Sequence, residues 1–210
     1  MSNIEIINFK MYFYFNYIQH IIDTVNIKVP SYSLYHDTIS IIISQQFSFV
    51  KSREIRNRMM SLLDGETKFT YNFINFVLSE NNLYKSLGIT DRKYQILRSI
   101  PDIPDVKYSM LELENYISYI SNIKGIGIWT CNALRVINRI PGSYISNDLY
   151  INKNLESMLG VKILKREIEY ILNTFFPNHT LQFTILFWRI KKESIEKMIR
   201  LEPLTEYDFY

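Results

Sequence analysis

Ile120-Ser-Asn-Ile-Lys-Gly-Ile-Gly-Ile-Trp-Thr-Cys-Asn-Ala133, followed after a short loop by Asp148, is the stretch that decides the fold. Leu113, Tyr116, Ile117, Ile120 and Ile123 recur at helical spacing before the glycines, and Trp129, Ala133, Leu134, Val136 and Ile137 after them. That periodicity predicts two helices joined by a hairpin. Gly125 and Gly127 are both expected to relieve the turn. A residue without a Cβ adopts positive φ readily and lets another backbone approach closely. The first amides of the second helix then face outward without an intrahelical acceptor, ready for an anion such as a phosphodiester. Such a grip holds nucleic acid without reading its bases. An ordinary glycine turn between bundled helices gives the same short pattern, so the glycines alone leave both readings open.

Gly125-Ile-Gly-Ile-Trp-Thr130, taken with Ser146-Asn-Asp-Leu149, resembles the helix-hairpin-helix DNA glycosylases, and most of all their 3-methyladenine DNA glycosylase II branch. Three more segments resemble the same family. They are Ile41-Ile-Ile-Ser-Gln-Gln-Phe-Ser48 with Ile55-Arg-Asn-Arg58, Leu87-Gly-Ile-Thr-Asp-Arg-Lys93, and Leu181-Gln-Phe-Thr-Ile-Leu-Phe-Trp188. The match runs from near Thr38 to Trp188. It implies an all-α, two-lobed fold with an interdomain active-site cleft. The central bundle would span 33–137 and end in the hairpin. The second lobe would combine 1–32 with 138–210 and carry Asp148.

The resemblance also assigns roles. Asp148 would be the catalytic carboxylate. Cleaving an N-glycosidic bond develops positive charge on the sugar, and a nearby carboxylate stabilises it and helps position water. The bland alternative is that Asp148, or Ser146, N-caps the helix starting near Leu149. The two roles are compatible, because a helix N-terminus favours the ionised acid. Trp129 and Trp188 would wall the base pocket, where a cationic alkylated base gains from stacking and cation–π attraction. Core packing accounts for either tryptophan as well. Gly125, Ile126, Gly127, Thr130, Gln45, Gln46 and Lys93 would contact DNA. Gln46 is the better match to the family's residue that fills the gap left by an extruded nucleotide, and a solvated helix end explains both glutamines equally.

Trp129 also stands where strand-cleaving relatives carry a Schiff-base lysine, which favours a monofunctional enzyme using water. Lys124, before the hairpin, is a poor substitute by position. Where the family often has an aromatic residue, this chain has Ala133, which leaves the base preference open. The function expected is therefore release of a damaged, alkylated base from double-stranded DNA, starting base-excision repair. Removal of oxidised purine and a non-catalytic DNA-binding role remain as alternatives.

Composition narrows the partners. The net charge of +3 rules out a histone-like polycation, yet Lys51, Arg53, Arg56 and Arg58 gather on one predicted helix. The single cysteine, Cys131, excludes an internal disulfide and a four-cysteine iron–sulfur cluster. His20, His36 and His179 lack metal-ligand spacing. No cofactor or metal is expected beyond a monovalent cation at the hairpin, and no Walker-type loop follows the glycines. The apolar run Met11-Tyr-Phe-Tyr-Phe15 is broken by Asn16, Gln19 and His20, which argues for a buried first helix over a membrane span. A monomer in a reducing, intracellular setting is expected.

Helices are predicted near 5–24, 34–45, 49–63, 70–79, 91–100, 109–122, 128–138, 149–158, 163–175, 180–191 and 193–200. Pro30, Asp64-Gly65, Pro101, Pro104, Pro141-Gly142, Gly160 and Pro177 punctuate them. The Ile-rich run 39–43 could pass for a buried strand, but its continuation into Gln45-Gln46 favours helix.

Overall fold

Small hydroxyl residues start most of the early helices. Ser2, Ser33, Ser48, Thr70, Thr90 and Ser109 each accept a hydrogen bond from the amide three residues on. Each satisfies one of the donors a helix start leaves without a partner. In the computed structural model, which describes residues 2–27, 31–63, 65, 67–80 and 82–210, the helices are α1 (Asn3–Thr24), α2 (Leu34–Ser44), α3 (Phe49–Met60), α4 (Tyr71–Ser79), α5 (Leu83–Ser86), α6 (Asp91–Arg98), α7 (Met110–Ile120), α8 (Ile128–Ile137), α9 (Leu149–Leu159), α10 (Lys165–Phe175), α11 (Thr180–Arg189) and α12 (Ile195–Ile199). The fold is all-α. Among the described residues the only β pairing is an isolated antiparallel bridge between Ile190 and Phe209.

Two differences from the sequence reading stand out. A single turn, α5, has no counterpart among the predicted helices. The final helix, expected over 193–200, divides into a 3₁₀ turn, Lys192–Ser194, and the short α12. Pro30 and Asp64, two of the expected breakpoints, lie outside the described residues.

The chain divides into two compact units, Met1–Val29 with Arg139–Tyr210, and Pro30–Asn138. In the continuous unit, α2 packs against α3, α6 and α8. Ile39, Ile42 and Ile43 of α2 are fully buried, with Ile55 and Met59 of α3, Val77 of α4, Ile120 of α7 and Ala133, Leu134 and Val136 of α8. The isoleucine run is thus a core helix and not a strand, and burying each side chain of Ile or Leu size stabilises by about 1.5–3 kcal/mol. Near the start of α2, His36 Nδ1 accepts the Phe69 amide at 2.8 Å and its ring stacks on Phe69. Asp37 accepts the Ser31 hydroxyl at 2.7 Å and the Tyr32 amide at 3.3 Å.

In the discontinuous unit, α1 packs on α9, α10 and α11 through Ile7, Met11, Tyr14, Ile18 and Ile21. Phe176, Phe183 and Phe187 form a run of ring contacts at 4.7 and 4.6 Å. The tail closes by way of Asp208, which accepts from Ser194 Oγ at 2.7 Å, Lys197 Nζ at 2.8 Å and the Thr205 amide at 2.9 Å.

Candidate nucleic-acid interface and catalytic residue

The hairpin is built by tight backbone bonds: the Ile123 amide donates to Ile120 O and the Ile126 amide to Ile123 O, both at 2.9 Å. Gly125 holds φ +103°, the left-handed region that favours glycine. A Cβ there would also lie 2.5 Å from Ile96 Cδ1. The expectation for Gly127 is corrected. Its φ of −110° and ψ of −177° are extended, open to any residue, and a Cβ would meet nothing within 4 Å. Gly127 is instead the N-cap of α8 and supplies no side-chain cap. The first-turn amides of α8 have no intrahelical acceptor by construction. Ile126 is buried, so it can serve DNA only through its backbone, whereas Ile128 is 64% exposed.

The loop between α2 and α3 lies in the same unit. Gln45 does not point into solvent. Its Nε2 donates to Gly125 O at 3.1 Å and to Thr130 Oγ1 at 2.8 Å. Thr130 is 2% exposed, so the side chain expected at a phosphate is an internal acceptor. Gln46, the next residue, is exposed and holds φ +58°. Backbone in that region is uncommon for a residue with a side chain and gathers at functional sites.

Lys93 is the clearest correction. Expected to reach DNA, it is buried, its Nζ donates to Ile43 O, and its ammonium sits 3.3 Å from the centroid of the Phe47 ring. Ile43 O is one of the last carbonyls of α2, where a cation complements the negative end of the helix. Burial pulls the amine down to about 7. Of the predicted basic cluster, Arg56 is also turned inward, donating to Ser44 Oγ at 2.8 Å, while Lys51, Arg53 and Arg58 are exposed. Arg135 is paired with Glu114 through Nε and Nη2 at 2.9 and 2.7 Å.

Asp148 belongs to the discontinuous unit. It is buried and N-caps α9, with Oδ1 accepting from the Tyr150 amide at 2.8 Å and the Ile151 amide at 3.1 Å. The carboxylate therefore sits at the N-terminal end of α9. Ser146, offered as the alternative cap, instead donates to Glu169 Oε1 at 3.1 Å. Asn154, which the sequence did not single out, donates to Phe187 O at 3.0 Å and ties α9 to α11. Trp188, the next residue, is half-buried on α11, and Trp129 is half-buried in the first turn of α8. Gln45, Gly125 and Thr130 are thus brought into direct contact. Among the described residues no three of His, Cys, Asp and Glu gather as metal ligands, and no helix is long and apolar enough to cross a membrane. Cys131 is buried, which pushes its thiol up.

No protein-family model matches the sequence, and no curated protein matches it. Solved structures do. A 3-methyladenine DNA glycosylase from Archaeoglobus fulgidus superimposes with a TM-score of 0.63 at 17% identity, covering 90% of this chain and 75% of that one. The 3-methyladenine DNA glycosylase of Schizosaccharomyces pombe, in complex with abasic DNA, gives 0.61 at 20% identity over 82% of this chain and 88% of that one.

Proposed function

From a chain with the helix-hairpin-helix DNA glycosylase fold, we propose a monofunctional DNA glycosylase that removes an alkylated base from duplex DNA. The observation that carries the reading is Asp148, an acid held by two backbone amides at the start of α9 in a chain of this fold. In the proposed reaction the C1′–N bond breaks and its electron pair leaves with the base. Positive charge grows on the sugar and Asp148 stabilises it. An alkylated base that is cationic while bonded leaves neutral, and water adds to C1′ and gives up its proton to bulk water. Flipping the nucleotide out costs a few kcal/mol, least where methylation has already weakened pairing.

The hairpin supports the binding half of the proposal. Gly127 lacks a Cβ that its own chain has room for, and α8 starts without a side-chain cap. Both leave backbone amides accessible to a phosphate. Trp129, in place of an amine, supports water as the nucleophile, and this chemistry needs no cofactor. In this reading Gln46 fills the gap left by the extruded nucleotide, and Trp129 offers an aromatic face to the base.

The test is incubation with duplexes that each carry one lesion, analysed with and without alkali. Strand breaks that require alkali, on duplexes with 3-methyladenine, are the expected result. Breaks without alkali would favour the oxidised-purine alternative. Binding of every duplex with no base release would favour a non-catalytic DNA-binding protein, for which capping alone explains Asp148.

A further inference from the structure

The end of α2 is held from three sides within its own unit. Lys93 of α6 takes Ile43 O and covers the Phe47 ring. Arg56 of α3 donates to Ser44 Oγ. Gln45 reaches the hairpin through Gly125 O and Thr130 Oγ1. Between these fixed neighbours Gln46 stands exposed in left-handed backbone. Such a conformation costs free energy and persists only where the surroundings impose it.

We propose that Gln45 is a positioning residue, coupling the Gln46 loop to the hairpin so that the phosphate grip and the residue that fills the gap left by the extruded nucleotide act as one unit. The inference rests on the glycosylase reading above. Its physical basis is that one amide group donates to two hairpin acceptors while its backbone neighbour is the exposed residue. A loop free to move would have to be ordered on binding, at an entropic cost to affinity. Held in advance, it carries that cost in the free protein.

A double-mutant cycle tests the coupling, because contacting residues in one network depart from additivity and a merely structural loss does not depend on Gln46. Affinity would be measured by fluorescence anisotropy for a duplex carrying a tetrahydrofuran abasic site. Gln46→Ala should weaken binding about fivefold with Gln45 present, the worth of a typical hydrogen bond. In a Gln45→Met background the same change should cost less than about twofold. Thr130→Val, which removes the acceptor from the other side, should also suppress the effect, and serves if Gln45→Met does not fold. Thr130→Ser, which keeps the hydroxyl, should restore it. Equal losses in all backgrounds, or no loss from Gln46→Ala with Gln45 present, would overturn the coupling while leaving the glycosylase reading in place. Failure of the wild-type protein to bind either abasic or undamaged duplex would overturn both.

Discussion

Asp148 Oδ1 lies 2.8 Å from the amide nitrogen of Tyr150, so the carboxylate assigned to the chemistry also fastens the first turn of α9. The two roles can be separated by substitution. Asparagine is as good an N-cap as aspartate, and alanine is not. Asp148→Asn should therefore unfold near the wild-type temperature and bind duplex DNA, yet release base at least about 100-fold more slowly. Asp148→Ala should lose the same activity and about 1 kcal/mol of stability besides. Near-normal turnover by the asparagine variant, in a single-turnover assay, would reduce Asp148 to a cap.

The hairpin glycines should respond differently from each other. Gly125→Ala places a Cβ against Ile96 in a strained backbone and should destabilise the fold by about 1–3 kcal/mol. Gly127→Ala meets nothing inside the chain, so it should cost only the poorer N-cap preference of alanine, about 0.5–1 kcal/mol. If a phosphate approaches there, it should still weaken duplex binding across all sequences alike. Unchanged binding would remove Gly127 from the DNA interface.

How much was legible in the sequence follows the reach of each signal. Glycine and helical periodicity located the hairpin, since both act over a few residues. They did not distinguish Gly125, which its neighbours require, from Gly127, which they do not, because that depends on Ile96 some thirty positions away. The four residues of α5 are too few to display a period. The resemblance of Leu87–Lys93 to the family's helix start points Lys93 toward DNA. Nothing in its spacing says that the end of α2 lies within reach of its ammonium. Adjacent glutamines look interchangeable until the turn sends one inward and leaves the other exposed.

Lys93 offers a salt-dependence test. A lysine neutralising one phosphate contributes about 0.9 to the slope of log affinity against log salt. Because its Nζ is engaged inside the protein, Lys93→Met should leave the slope unchanged, whatever it does to affinity at one salt concentration. A slope shallower by about 0.9 would return Lys93 to the DNA surface.

Neighbouring groups on α2 predict opposed pH effects. Burial, with Arg56 and Lys68 nearby, holds His36 down to about 4 against an ordinary 6.5. The unfolded chain therefore binds the extra proton across that window, and the His36 contribution to stability falls as pH drops from 6.5 to 4. Burial holds Asp37 up to about 6 against 3.8, so there the folded chain binds the proton first and stability rises as pH drops from 6 to 3.8. Relative to wild type, Asp37→Asn should steepen the loss of stability on acidification between pH 6 and 4, and His36→Gln should lessen it. Urea unfolding across this range measures both, and parallel curves for all three proteins would contradict the assignment.

Trp129 separates base recognition from packing. Borohydride should not trap the protein on abasic DNA, because no amine stands at that position. Trp129→Ala should reduce release of cationic bases more than of neutral ones, by the cation–π contribution of about 0.5–2 kcal/mol. Equal losses would leave Trp129 a shape or packing residue.

The discontinuous unit has a consequence for synthesis. Residues 30–138 can close their own core once they have all been made, whereas α1 precedes them in the chain and packs on helices that follow them. At ordinary elongation rates of about 5–20 residues per second, α1 waits roughly 6 to 33 seconds for α9, α10 and α11. Throughout that delay Ile7, Met11, Tyr14, Ile18 and Ile21 have no native partner to cover them. Until those helices are made α1 presents an uncovered apolar face on the nascent chain, and a chaperone that shields this one helix would limit aggregation.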